Sequence, residues 1–188
     1  MAQDLQDPDF LRSLAWVARA CLAALFAAGL WHKARGFREF ITAVGQYRVL
    51  PAPLVPAAAV TLVVAEAVVL AGLLSPPMPP APFAWGAAFL LTLYGLAIAI
   101  NLGRGREAID CGCHGFSGRQ RIAGWMVVRN LLLATLAALL AALTHLPEPL
   151  PPPPGDHWVG IVGATVVLCL LYTAAHLLAA NAARLDRR

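Results

Sequence analysis

Residues 54–74 read LVPAAAVTLVVAEAVVLAGLL, an apolar run broken by a single charged residue, Glu66. About 20 such residues in a helix cross the ~30 Å hydrocarbon core of a bilayer, at about 1.5 Å per residue. The run is rich in Ala, Leu and Val and shows no period-two alternation, so it predicts a spanning helix rather than a strand of a membrane barrel. In lipid a helix also satisfies its own backbone. Four more stretches share this character, at residues 14–30, 83–102, 122–143 and 158–180. The expected fold is an all-α polytopic bundle of about five transmembrane helices, or four if one stretch does not span, forming a single domain over residues 1–188.

The composition agrees. Of 188 residues, 60% are hydrophobic and 13% charged, and the mean hydropathy is +0.69. Soluble domains carry about 25% charged residues. Disorder would require low hydrophobicity. A cleaved signal peptide does not fit the first stretch: Asp4, Asp7 and Asp9 precede it, Arg19 interrupts it, and no clear cleavage site follows. An uncleaved helix is expected.

The connections carry their own signals. Residues 75–82 and 147–155 are proline-rich and predict stiff connectors outside the bilayer. Between Trp31 and Pro53, the residues Phe37, Phe40, Ile41, Val44 and Tyr47 fall at helical spacing, with Arg35, Arg38, Glu39 and Gln46 between them. That pattern predicts a short amphipathic helix, lying in the interface or packed over the bundle mouth.

The net charge of +4 comes from basic clusters between apolar runs, which is a topology signal and not a nucleic-acid-reading face. The first loop, the third loop and the tail hold eleven basic residues, among them Lys33, Arg48, Arg104, Arg121 and Arg188; the other side holds Arg12 alone. With five spans these three segments share a side, and the positive-inside rule makes it cytoplasmic.

The third loop contains Asp110-Cys111-Gly112-Cys113-His114-Gly115-Phe116. Disulfide Cα atoms lie about 4.4–6.8 Å apart. Residues two apart on an extended chain sit near the upper edge of that range, and Gly112 permits the unusual backbone angles that shorten it. A strained disulfide is readily reduced, which suits exchange chemistry better than a structural staple. His114 and the nearby arginines favour thiolate, while Asp110 opposes it. Two other readings stay open. Cys111, Cys113 and His114 could bind a metal, although zinc sites usually take four ligands at wider spacing; or the segment is a reduced turn capping the bundle. The c-type haem pattern is one residue short. Cys21 and Cys169 stand alone in their helices and read as packing residues.

Ionisable residues within spans are functional candidates. Glu66 in the second stretch and Arg129 with Asn130 in the fourth lie at depths that predict a Glu66–Arg129 pair, either fixing helix packing or lining a polar site beside the cysteines. His32 and His176, near helix ends, read as interfacial.

The Asp110–Cys113 block with Gly115, followed by Trp125-Met126-Val127-Val128-Arg129-Asn130-Leu131, resembles the methylamine-utilisation protein MauE family. So do Gly29-Leu30-Trp31-His32-Lys33, Phe37, Phe40 and Tyr47-Arg48-Val49-Leu50-Pro51, which are also similar to the wider DoxX-like membrane group. The likeness runs from about residue 14 to 143; His114 stands where the family commonly has Phe. The resemblance implies a multi-pass inner-membrane protein that assists maturation of the periplasmic methylamine dehydrogenase small subunit, alongside MauD, a thioredoxin-like protein. On this reading Cys111 and Cys113 act as a thiol–disulfide oxidoreductase pair. Asp110, Gly112, His114, Glu66, Arg129 and Asn130 support them, and neither metal nor cofactor is involved. A periplasmic client conflicts with a cytoplasmic third loop, unless the pair passes electrons across the membrane margin or one stretch does not span. The rival classes are a non-catalytic scaffold or translocation helper, for which Phe40 and Tyr47 matter more than the cysteines, and a small-molecule permease using Glu66 and Arg129.

Overall fold

A computed structural model describes residues 8–75, 79–106, 109, 121–144, 151–153, 155 and 157–185. Among them are six α-helices and no strand: α1 Pro8–Arg35, α2 Phe37–Gln46, α3 Val55–Leu74, α4 Ala81–Gly103, α5 Gly124–Leu143 and α6 His157–Leu185, with a 3-10 turn at Ala52–Leu54 leading into α3. Five of these, all but α2, are long and apolar enough to cross a membrane.

The helices alternate in direction. The starts of α1 and α6 meet, with Ser13 Oγ 3.2 Å from His157 Nδ1 and the Trp16 and Trp158 rings 5.4 Å apart. At the other end, an Arg104 guanidinium nitrogen lies 3.4 Å from the Arg48 carbonyl, linking the first loop to the end of α4. The first loop and the α4–α5 connection thus share a face, as the alternation requires.

Lipid tails are as apolar as leucine, so helix association in a bilayer depends on close packing, which small residues permit. The core follows that rule. Ala15, Ala23, Ala84, Ala87, Ala134, Ala137 and Ala141 line it, filled out by Leu22, Phe26, Leu73, Leu90 and Leu140. The most intimate pair is α4 with α5, where Gly95 lets Asn130 approach. The large exposed apolar side chains, such as Phe89, Leu132 and Val159 (82% exposed), point outward, as a lipid-facing surface demands. α6 contributes little to the core and packs mainly on α1.

Helix ends explain several departures from the apolar-run boundaries. α1 continues past Leu30 to Arg35, because Trp31-His32-Lys33-Ala34-Arg35 loses hydropathy but not helix propensity. α4 ends in a Schellman turn: Gly105 takes φ +68°, its N–H donates to Leu102 and the Arg106 N–H to Asn101. α2 is amphipathic as expected, with Phe40 and Ala43 buried and Arg38, Glu39 and Gln46 exposed. Arg19, 2% exposed, has a structural task that its position in the run does not announce. Its guanidinium donates to the carbonyls of Leu73 (2.6 Å), Gly72 and Ser75 at the end of α3, satisfying orphan acceptors and opposing the negative pole of the helix dipole.

Gly72 also makes room for α4, since a Cβ there would fall on the Phe83 ring. Gly72→Val is expected to cost about 1–3 kcal/mol by overpacking and to lower the unfolding midpoint of the purified protein in mild detergent. Gly29→Ala, with nothing within 4 Å of the added carbon, is expected to leave the midpoint unchanged.

Candidate functional site

Five helices bring polar groups together on the side of the bundle that carries the α4–α5 connection. Lys33 from α1 and Glu66 from α3 are 4% and 3% exposed. Lys33 Nζ donates to Glu66 Oε1, and the Tyr94 hydroxyl of α4 donates to the same oxygen at 2.6 Å. The ammonium also lies 5.1 Å from the ring centres of both Phe40 and Tyr94, close enough for cation–π attraction. The carboxylate's partner is therefore Lys33, which corrects the expected Glu66–Arg129 pair. Lys33 reads in the sequence as a topology-setting loop residue. It becomes a core residue because α1 runs on past the apolar stretch and turns it inward.

Arg129 takes a different partner. Its guanidinium donates to His176 Nδ1 at 3.2 Å and lies 5.4 Å from the centre of the Trp125 ring. His176 in turn stacks on Tyr172 and meets Trp125 edge-on. Arginine offers only donors, so Nδ1 accepts and the proton of the neutral imidazole sits on Nε2. This histidine lines a chamber of about 140 Å³ that Lys33, Glu66, Tyr94, Arg129 and Asn130 also line. Glu66 and Arg129 thus share a cavity without pairing. Asn130 returns its amide to the Met126 carbonyl at 2.9 Å.

Among the side chains lining the chamber, three buried polar atoms have no hydrogen-bond partner among the described residues, Glu66 Oε2, Arg129 Nε and His176 Nε2, and the neighbouring Trp125 Nε1 is a fourth. Buried polar atoms are rarely left unmatched. The chamber adjoins a larger apolar groove of about 430 Å³ beneath α2, where Phe40, Tyr47, Leu50, Leu62 and Ile98 form the walls and Lys33, Tyr94 and Asn130 are shared.

Asp110, Cys111, Gly112, Cys113 and His114 lie outside the described residues. The chain on either side of them is anchored. The Ile122 N–H donates to the Ile109 carbonyl at 3.0 Å, and both side chains pack with Ile98 and Met126 in a small apolar cluster. The described residues flanking the cysteines, Ile109 and Ile122, therefore meet at one point beside α4 and α5. Cys111 follows buried Ile109 by two residues, and Arg129 lies two helical turns beyond Ile122. Cys21 and Cys169, solitary in sequence, face one another across the α1–α6 contact as free thiols. Among the described residues no group of three metal-ligating side chains occurs.

Fold and site define a class: a polytopic helical membrane protein with an ion pair buried in its bundle and a polar chamber opening toward an apolar groove. A family model described as Methylamine utilisation protein MauE matches residues 11–143. The chain is 43% identical over 177 residues to the methylamine utilization protein MauE of Paracoccus versutus, covering 94% of this chain and 91% of that protein. It is 40% identical to the MauE of Paracoccus denitrificans (87% and 86% covered) and 38% identical to that of Methylorubrum extorquens (84% and 83%). No solved structure matches it. The chain belongs to the MauE family and, with it, to methylamine utilisation.

Proposed function

We propose that the protein assists maturation of the periplasmic methylamine dehydrogenase small subunit from the inner membrane, exchanging disulfides at Cys111–Cys113 with a MauD-like thioredoxin-fold partner. The observation that carries this reading is the Asp-Cys-Gly-Cys block within a chain of the MauE family, in a connection whose two ends are tied together at Ile109 and Ile122. A thiolate of the partner attacks one sulfur of the Cys111–Cys113 disulfide, forming a mixed disulfide and releasing the other cysteine as thiolate. The partner's second thiolate then displaces the bound cysteine. The partner ends as a disulfide and Cys111 and Cys113 as two thiols, having received its electron pair and two protons. The partner's disulfide in turn serves the dehydrogenase subunit.

The eleven-to-one basic bias favours a cytoplasmic α4–α5 connection, and with five spans the pair would have to act from the membrane margin. Trapping tests the exchange and the sidedness together. In cells whose MauD-like partner keeps only its attacking cysteine, a mixed disulfide between that cysteine and Cys111 or Cys113 is expected on non-reducing gels, dissolved by reductant. Membrane-impermeant maleimide, with and without reductant, reads face and oxidation state. Cysteines that are always reduced and never form an adduct would overturn the proposal in favour of a scaffold.

A further inference from the structure

We propose that the chamber between α1, α3, α4, α5 and α6 binds the head group of a lipid-soluble quinone, with the groove beneath α2 taking its apolar tail. The role of this site rests on the exchange reading above; the binding does not.

The argument starts from the unmatched atoms. His176 Nε2–H and Arg129 Nε–H are donors without acceptors, and Glu66 Oε2 is an acceptor without a donor, in side chains that line one chamber. An occupant must therefore accept hydrogen bonds at one place and, in at least one of its states, donate at another. A quinone does the first through its carbonyls, and its hydroquinone does the second through its hydroxyls. The surrounding walls, Leu25, Phe26, Leu91 and Leu133, suit a flat apolar ring. An anionic lipid head fits less well. Glu66 is the twelfth residue of the twenty in α3, far deeper than phospholipid head groups lie. Taken together, the chamber and groove, about 140 and 430 Å³, fall within the size range of small-molecule sites, about 300–1,000 Å³. Their mostly apolar lining with a few convergent polar groups is the usual make-up of such sites.

Such a ligand closes the electron balance of the exchange. After oxidising its partner, the Cys111–Cys113 pair is left as two thiols. Passing two electrons and two protons to the quinone regenerates the disulfide and yields hydroquinone. Arg129 and His176 would polarise the carbonyl that gains charge, and Glu66 Oε2 would accept the hydrogen bond of the hydroxyl formed at the other end.

The test uses the full-length protein in lipid nanodiscs and an azido derivative of decylubiquinone as photoprobe. Saturable labelling is expected, mapped by mass spectrometry to peptides of α3, α5 and α6 and competed by unmodified decylubiquinone but not by phosphatidylglycerol or palmitate. His176→Phe keeps the ring against Trp125 and Tyr172 and removes the donor. It is expected to weaken binding about five- to tenfold at an unchanged melting temperature, and Arg129→Lys provides a second variant should His176→Phe fold poorly. Cys111→Ser/Cys113→Ser is expected to bind as the parent does. Labelling that is not saturable, is unaffected by both chamber variants, or is competed equally by palmitate or phosphatidylglycerol overturns the site. Binding without any mixed disulfide overturns the exchange reading and leaves the site standing. A trapped disulfide without binding does the reverse.

Discussion

Replacing either Cys111 or Cys113 with serine is expected to bring maturation of active methylamine dehydrogenase down to the level of a strain lacking the protein. Thiol–disulfide exchange runs through thiolate, and a serine hydroxyl neither ionises usefully nor forms a disulfide. Each single variant lacks the disulfide that the partner's thiolate attacks, because the cysteine that remains has no neighbour to pair with. Because the two sulfurs act as one unit, the double variant is expected to be no worse than either single one. Cys21→Ala and Cys169→Ala, whose thiols face each other between α1 and α6, are expected to leave maturation intact and show that not every cysteine matters. The measurements are methylamine-dependent growth and dehydrogenase activity per unit of subunit. Full maturation with both Cys111 and Cys113 replaced would exclude the redox mechanism, and the importance of the interfacial residues Phe40 and Tyr47 would then become the question.

The bundle was readable from hydropathy because a bilayer imposes one length and one composition on anything that crosses it. All five expected stretches lie within or nearly within the observed spanning helices, and the amphipathic segment around Phe40 became α2. The partnering inside the bundle was not readable in the same way. Depth along a helix follows from counting residues, and counting put Glu66 and Arg129 at compatible depths. Which side of each helix faces inward depends on packing, and α1, extended to Arg35, brought Lys33 into the position assigned to Arg129. His176 was hidden for a related reason: α6 is apolar nearly all round, so the few polar residues it turns inward, His176 with Tyr172 and Thr173, have no periodic pattern to mark them. Arg19 is the clearest charge amid apolar residues whose task the sequence does not name, and the carbonyls of Gly72, Leu73 and Ser75 supply that task. The contact between Cys21 and Cys169 has no sequence signature, because it joins the first spanning helix to the last.

Lys33→Met is expected to be among the most destabilising single changes in the spanning region. It would leave the Glu66 carboxylate buried with the Tyr94 hydroxyl alone on Oε1 and nothing on Oε2. Removing one partner of a buried pair costs about 3–5 kcal/mol, since the remaining charge must stay desolvated or take up a proton. An exposed pair would lose about 0–1 kcal/mol, so the size of the loss reports whether water reaches the site. Denaturant titration of the purified protein, followed by tryptophan fluorescence, measures it; a loss under 1 kcal/mol would contradict the packing of α1 on α3. The double variant Lys33→Met/Glu66→Leu removes both charges, and apolar replacement of a buried pair is often close to neutral, so stability is expected to return. Function separates the two roles open to the pair. If it only fastens α1 to α3, the double variant recovers maturation together with stability. If Glu66 Oε2 is the acceptor of the chamber, the double variant folds yet neither binds decylubiquinone normally nor supports maturation, because a leucine in that place offers the ligand nothing to donate to.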